Sequence, residues 1–481
     1  MAKKTPFVHL FRTPGGYYIF DVNTNTIIKT KKETYDLLKM SEKEELSYED
    51  NRIKPFIDKM SQEGYFSSNR VKKVLHPATK YLDDYLKTKL QMICLQVTQN
   101  CNLRCEYCVY SDKYVNRSHS NAQMSFEVAK RAIDFLIERS IDVETVNISF
   151  YGGEPILEFE LIKKCIDYAI SEAEGKLVTF SLTTNGTLFT KEIIEFFQQH
   201  DVQITISLDG PKAIHDKNRK FAGSGCGTFD KVSENLKFFK DHYEKYFDEK
   251  VSFNVVLDSK SDFACVNSFF TSYDVIKQSI VITSYISDHY AKFEIDSNEE
   301  NDIKTNYELF KLYLSNFNRI DNKYVSKLVQ HHYEHINTNL SKNRGKTTLL
   351  NEEAHHGGPC IPGVLRLFVD VNGMFFPCER VDENSEAMKI GNIYDGYNID
   401  KIKNLLNIGQ ITSESCIDCW AFNFCTICAA LADDNGKLSA SKKLSKCDEV
   451  RYSLEQNLID YCILREFGHT FEDSKFFMTE A

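Results

Sequence analysis

Met92–Ser111 reads MICLQVTQNCNLRCEYCVYS: an apolar run of strand-like composition, then Cys101, Cys105 and Cys108 in one tight loop. The spacing is CxxxCxxC. A structural zinc site wants four ligands and a disulfide two. A 4Fe–4S cube has four irons, each taking one external ligand, usually a thiolate. Three cysteines would leave one iron open, able to chelate a small molecule and pass it an electron. A zinc loop completed by a distant fourth ligand is the other reading of these residues alone.

The loop sits inside a repeating pattern. Strand-like runs are MICLQVT, VNISFYGG, VTFSLTTN, VQITISLDG, VSFNVVLD and SIVITSYIS. Segments of helical length and period separate them, among them SFEVAKRAIDFLIERS, EFELIKKCIDYAISEAE and FDKVSENLKFFKDHYEKYF. Six strands alternating with helices predict an α/β fold with a parallel sheet. Such sheets place chemistry at the C-terminal strand ends, and the cysteine loop follows the first of them.

Outside this region three further parts are expected. Residues 1–85 read as a small domain: YYIFDV and TIIKTK alternate around NTN as a hairpin, and KKETYDLLKM and KPFIDKMSQEGYF have helical spacing. Hairpin plus short helices predicts a winged-helix-like module. RVKKVLHPATKYLDDYLKTK reads as a linker to the α/β part, residues 90–287. Residues 288–355 are polar and helix-prone, a helical connecting region. Residues 356–481 are cysteine-dense, with LRLFVDVNGMFFPCERV predicting a hairpin that turns at Asn372-Gly373.

The chain has 481 residues, 42% hydrophobic and 27% charged, as in a globular protein with sizeable cores. A net charge of −10 argues against nucleic acid or an anionic membrane as partner. MAKKTPFVHLFRTPGGYYIF is not a signal peptide, and no apolar run approaches a membrane span. A cytoplasmic location is expected, where 15 cysteines point to metal or catalysis rather than disulfides.

CxxxCxxC, with Tyr107 before its last cysteine, resembles the radical S-adenosylmethionine (SAM) enzymes, and the β-α pattern resembles their partial (β/α)6, TIM-like barrel. Further family motifs occur in order. YGGEP, Tyr151–Pro155, follows the second strand; the resemblance implies that Gly152, Gly153 and Glu154 hold the amino group of SAM. Two glycines let backbone approach a ligand closely, and a carboxylate pairs with an ammonium. Asn185 of LTTNGT would reach the ribose, Ser207 of SLDGP would point to the same pocket, and Arg219 would pair with the SAM carboxylate, a solvated surface arginine being the other reading of that residue. The implied catalytic centre is Cys101, Cys105 and Cys108 with a 4Fe–4S cluster. Reductive cleavage of SAM would give methionine and a 5′-deoxyadenosyl radical, which takes a hydrogen atom from substrate, with flavodoxin or ferredoxin as electron donor.

Near the end, CIDCWAFNFCTIC gives two CxxC units, a strong metal signal for which zinc is a serious alternative, with His355 and His356 available to complete such sites. The region is similar to the SPASM extension of radical SAM enzymes, which holds two auxiliary 4Fe–4S clusters. KIGNI and the span from Cys360 to Cys378 fit it; the two-residue gap between Cys425 and Cys428 departs from it, three being common. By resemblance Cys416, Cys419, Cys425 and Cys447 hold the second auxiliary cluster, and Cys360, Cys378 and Cys428 the first. That first cluster is one ligand short: NEEAHHGGP contains no cysteine where fully ligated relatives have one. Either a substrate thiolate or a histidine, His355 or His356, would take the open position. Cys94, Cys165 and Cys462 read as small core hydrophobes.

The N-terminal module resembles the leader-recognition domain of maturases of small cysteine-rich peptides, in which a leader adds as a strand beside the hairpin. The expected function is therefore a peptide maturase that forms a thioether between a cysteine sulfur and a carbon of a ribosomally made, cysteine-rich precursor peptide. Anaerobic sulfatase maturation, which makes formylglycine, is the second reading, and a non-catalytic Fe–S or zinc protein the third.

Overall fold

A computed structural model describes residues 5–173, 175–296, 298–342, 349–357, 360–471 and 477–480. Glu174, at the end of a predicted helix, and Gly358 and Pro359, beside the histidine pair, lie outside these residues.

All six predicted strands of the α/β part are present. In a scheme that numbers every strand along the chain they are β5 (Met92–Thr98), β6 (Thr145–Gly152), β7 (Leu177–Thr184), β8 (Gln203–Ser207), β9 (Val251–Leu257) and β10 (Ile280–Tyr285). They pair parallel in the order β10-β9-β8-β7-β6-β5. In β6 every second residue, Val146, Ile148 and Phe150, is buried and the alternate ones are partly open. β5 is buried from Ile93 to Thr98, as a strand covered on both faces must be. Helices return the chain between strands. Phe126–Glu138 starts on Ser125, whose hydroxyl accepts the Val128 N–H, and Lys191–Gln199 starts on Thr190 in the same way. The result is the α/β fold with a parallel sheet that the pattern predicted, in the partial-barrel arrangement that the resemblance implies.

The cysteine-dense region extends this sheet. β12 (Leu367–Val369) pairs parallel to β5, with Phe368 opposite Cys94, and β13 (Met374–Phe376) returns antiparallel. The hairpin turns where expected: Gly373 has φ +84°, and the Asp370 carboxylate accepts from the N–H groups of Asn372 and Met374. β14 (Gly391–Asn392) and β15 (Gly396–Tyr397) complete ten strands, and β16 (Asp433–Asp434) and β17 (Lys437–Leu438) form a separate ladder.

The N-terminal sheet is β1 (Val8–Thr13), β2 (Gly16–Asp21) and β3 (Thr26–Thr30), joined antiparallel. β1 was not predicted. β18 (Phe477–Glu480) lies parallel to β3 as a fourth strand. Alternation sends Leu10, Ile19 and Ile28 to one face, under the helices Lys32–Glu42 and Lys54–Gln62. Phe11, Tyr18, Phe20 and Ile27 go to the other face, in one cluster with Leu454, Leu458 and Tyr461 of the helix Cys447–Glu466.

The stretch expected to be a linker is instead structured. β4 (Lys73–Val74) pairs with β11 (Glu353–Ala354), and Pro77–Tyr81 and Leu82–Thr88 form helical turns. Leu82 and Leu86, one turn apart on one face, enter the barrel core with Ala78. Their apolar spacing is hidden among lysines and aspartates. Among the described residues no helix is long and apolar enough to cross a membrane.

Candidate functional site

The cysteine loop leaves the end of β5 and folds against the ends of β6 and β7. Gly152 has φ +139°, and a Cβ there would lie 2.1 Å from the Thr98 carbonyl oxygen. A Cβ on Gly153 would lie 2.0 Å from that of Asn100. Both obstacles are backbone, so only glycine lets this turn rest on the strand that feeds the cysteines. The Gly153 and Glu154 N–H groups donate to those same two carbonyls at 2.9 Å.

One cavity of about 290 Å³ is lined by all the residues predicted for this centre: Cys101, Cys105, Cys108, Tyr107, Gly152, Gly153, Glu154, Asn185, Ser207 and Arg219. It opens at the C-terminal strand ends. Burial pushes the Cys101 and Cys105 thiols up to about 12, and their neighbours' negative charge adds to the rise. Cys108 is raised by burial too, while Arg117, Arg219 and Arg104 pull it down. A thiol so raised becomes a thiolate only against a strong cation or a metal.

Glu154 is 1% exposed. One carboxylate oxygen accepts from the Thr184 hydroxyl (2.7 Å) and the Ile156 N–H (3.1 Å), the other from the Asn185 N–H (2.7 Å). Three of roughly four acceptor positions are thus used. Burial outweighs these bonds and lifts its pKa to about 7. Asn185 turns toward the cysteine loop: its amide donates to Asn102 Oδ1 at 2.8 Å, and its Oδ1 accepts from the Thr187 N–H and hydroxyl. Ser207, 9% exposed, closes the end of β8. Arg219 is buried, not solvated, and its Nε donates to Asp209 Oδ2 at 2.9 Å. The Tyr107 hydroxyl donates to the same oxygen. Arg219, expected to meet a ligand carboxylate, is therefore already bonded to one of the chain's own.

Sequence reading missed several groups here. His119 Nε2 lies 3.7 Å from Cys108 Sγ, and burial holds its pKa down at about 4. Arg117 and Glu383 form a buried pair, Nε to Oε2 2.8 Å. Gln96 of β5 donates to Glu383 at 2.7 Å, and the Arg117 guanidinium lies 3.8 Å from the Tyr110 ring centre. This pair ties the loop after Cys108 to the segment after Cys378. Glu383→Gln keeps the shape but leaves Arg117 without a countercharge; a loss of about 1.5–3 kcal/mol is expected. Urea unfolding followed by circular dichroism reads it, and an unchanged midpoint would show that the pair is idle.

The C-terminal cysteines fall into two neighbourhoods. Burial raises Cys360 and Cys378, and the charge of Cys428 raises both further. Cys425 and Cys447 are raised by burial, then by Cys416 and Cys419, and lowered by Lys443. Lys443 is 1% exposed, with Nζ 3.7 Å from Cys416 Sγ. A buried ammonium against Cys416, whose charge also reaches Cys425 and Cys447, suits an anionic thiolate group. Both His355 nitrogens are engaged: Nδ1 meets the His356 carbonyl and Nε2 accepts the Gly409 N–H at 2.8 Å. His356 is 2% exposed and sits near Cys425 and Lys443. Cys94, Cys165 and Cys462 are buried in apolar cores. Among the described residues no three His, Cys, Asp or Glu side chains stand close enough to grip a single metal ion. Cys101, Cys105 and Cys108 ring a cavity instead, with cationic Arg219 at its wall. Three converging thiols, a glycine cradle and a buried carboxylate fit a 4Fe–4S cube and an ammonium-bearing ligand.

Residues 95–262 match the radical SAM superfamily. The uncharacterized protein MJ0907 of Methanocaldococcus jannaschii is 35% identical over 141 residues, which are 29% of this chain and 46% of that protein. The radical SAM cyclopropyl synthase TigE of Paramaledivibacter caminithermalis is 25% identical over 355 residues, 70% of this chain and 67% of TigE. The chain thus spans less than half of the first relative and about two thirds of the second. Anaerobic sulfatase-maturating enzymes are also among its relatives. A solved structure described as native anSMEcpe with bound AdoMet and Cp18Cys peptide shares the fold, with TM-score 0.55 and 21% identity over 78% of this chain and 99% of that one. The chain carries a radical SAM domain over residues 95–262, a family that implies a 4Fe–4S cluster and SAM.

Proposed function

We propose that this enzyme is a peptide maturase that joins a cysteine sulfur to a carbon of a ribosomally made, cysteine-rich peptide. Cys101, Cys105 and Cys108 would hold one 4Fe–4S cluster. Cys360, Cys378 and Cys428 would hold a second, and Cys416, Cys419, Cys425 and Cys447 a third. When bound, these groups and SAM would supply one-electron chemistry, removing a carbon-bound hydrogen atom and taking up the electron released as the cysteine proton goes to solvent and the C–S bond forms. The chain's own residues bind and orient. Glu154 and the two glycines would take the ammonium end of SAM, and the Asp209–Arg219–Tyr107 network stiffens the wall opposite.

The observation that carries the reading is the donor count beside Cys378. Cys360 and Cys428 lie near enough to raise the Cys378 thiol, His355 has both nitrogens engaged, and His356 lies by Cys425 and Lys443, which supports a first set of three thiols without a histidine. A fourth position would be left for a substrate thiolate. A peptide substrate is supported also by the neighbour solved with a Cys peptide, and peptide docking by the N-terminal sheet.

The test is anaerobic reconstitution with iron and sulfide, reduction by dithionite, and addition of SAM and a short synthetic cysteine-rich peptide. The expected product is lighter by two hydrogen atoms per bridge, with the bridged thiol no longer alkylated. A product that has lost sulfur would favour formylglycine formation. A lighter product whose thiols still alkylate would point to a carbon–carbon ring, as the name of TigE describes. Absence of 5′-deoxyadenosine would sink all three.

A further inference from the structure

We propose that residues Phe477–Glu480 are a resident strand on the edge of β3, which an extended peptide must displace in order to dock. The inference deepens the peptide-docking part of the function proposed above and rests on it.

Both faces of the N-terminal sheet are closed. Leu10, Ile19 and Ile28 are covered by Tyr35, Leu38 and Met60, and Phe11, Tyr18 and Phe20 by the helix Cys447–Glu466. A further strand can enter only at an edge. β3 is bonded to β2 on one side, so its other side presents a row of N–H and C=O groups, a template for any extended chain. In this structure β18 takes that row, in register Phe477↔Thr26, Met478↔Ile27, Thr479↔Ile28 and Glu480↔Lys29.

The occupant is built to leave. It is four residues long and parallel, the pairing that is less stable per residue, while β1 and β2 pair antiparallel over six residues. Its root is fixed: Phe471 is 6% exposed and stacks on Tyr461 at 4.7 Å between centroids. Five residues, 472–476, join that anchor to the strand. Belonging to the same chain keeps the strand at high effective concentration beside the edge. Backbone pairing is tolerant of sequence, so covalent attachment and not side-chain recognition sets the threshold. A peptide that merely extends is held out, and one with further contacts gets in.

The experiment compares three chains: full length, one ending at Phe471, and Met478→Pro with Thr479→Pro, which keeps the length but removes ladder donors. The probe is a fluorescein-labelled synthetic peptide of residues 472–481, EDSKFFMTEA. The shortened and proline chains are expected to bind it at least tenfold more tightly than the full chain. Amide exchange at Thr26–Thr30 should speed up when residues 472–481 are removed and slow again when the peptide is added. Equal affinity for all three chains, no binding to the shortened and proline chains, or β3 amides unchanged by the removal would overturn the proposal. Neither readout needs SAM or a modified product. Edge exchange without peptide modification would therefore leave this inference standing and remove the thioether reading, and modification without edge exchange would do the reverse.

Discussion

Between pH 5.5 and 7 the affinity of this protein for SAM should rise about tenfold per pH unit and then level off, because a Glu154 that receives the ammonium group, as proposed, must first lose a proton. Its carboxyl is buried, three protein donors point at it, and its pKa is still lifted from 4.5 to about 7. A cation arriving at the remaining acceptor position selects the ionised form and expels the proton. The chosen window lies below the range in which a ligand α-amino group titrates. The same shift acts on the SAM-free fold with the opposite appearance. The folded state keeps a proton that the unfolded chain releases near pH 4.5. Glu154 therefore contributes stability that is fully present below that pH and is lost as pH rises through 7, about 3 kcal/mol in all. Glu154→Gln removes the charge and forces an amide N–H₂ against either the Asn185 N–H or the donors at Thr184 and Ile156. SAM affinity should fall about a hundredfold at pH 7.5, a loss near 3 kcal/mol, and lose its pH dependence. Isothermal titration calorimetry in buffers of different ionisation heat reads both the affinity and the proton. A dissociation constant flat from pH 5.5 to 7 would remove Glu154 from the ammonium site.

What the sequence disclosed and what it hid separate along one physical line. The six barrel strands were readable because burial imprints a local period: Val146, Ile148 and Phe150 in β6, or the unbroken run of β5. YGGEP was readable because a backbone that touches backbone excludes every residue but glycine. Interactions between distant polar residues leave no period. Arg117 and Glu383 are 266 positions apart, and nothing in NRSHS or RVDENS marks either as buried. Lys443 lies in SASKKLSK, which reads as a solvated face, yet its ammonium donates to the Thr412 hydroxyl at 3.0 Å and lies against Cys416. A lysine is buried only when such partners exist, and they come from another part of the chain. The fourth strand of the N-terminal sheet was hidden for the same reason, since β18 and β3 are joined only by folding. The shared cluster of Phe11, Tyr18 and Phe20 with Leu458 and Tyr461 also changes how the sheet must be probed. Deleting residues 1–85 would strip the helix Cys447–Glu466 of its core, so point changes at the β3 edge are the cleaner test of peptide docking.

Arg219→Met should cost about 3–5 kcal/mol of stability, the usual consequence of leaving one partner of a buried ion pair alone. Asp209 is 1% exposed and Arg219 6%. Nε and Nη2 of the arginine reach the two carboxylate oxygens at 2.9 and 3.3 Å, the Tyr107 hydroxyl donates to one of them, and the Val256 N–H to the other at 3.2 Å. Burial works against the guanidinium charge, but the Asp209 carboxylate more than offsets it, and Arg219 holds its proton well above the ordinary range. The arginine thus keeps its charge. Methionine matches the volume of the arginine stem but strands the carboxylate beside two remaining donors. The second change, Asp209→Asn, is the decisive control. In the double variant no buried charge is left, and at least half of the lost stability should return, a coupling larger than the additivity limit for independent sites. The pair also bears on function, because Arg219 and Tyr107 line the cavity that holds the three cysteines. Releasing Tyr107, which sits between Cys105 and Cys108 in sequence, should loosen the loop. In reconstituted Arg219→Met the iron content per chain should therefore fall, with partial recovery in the double variant. If Arg219 acts instead only on a ligand carboxylate, Arg219→Met will unfold at the same urea concentration as the parent and load iron fully, while SAM affinity alone declines.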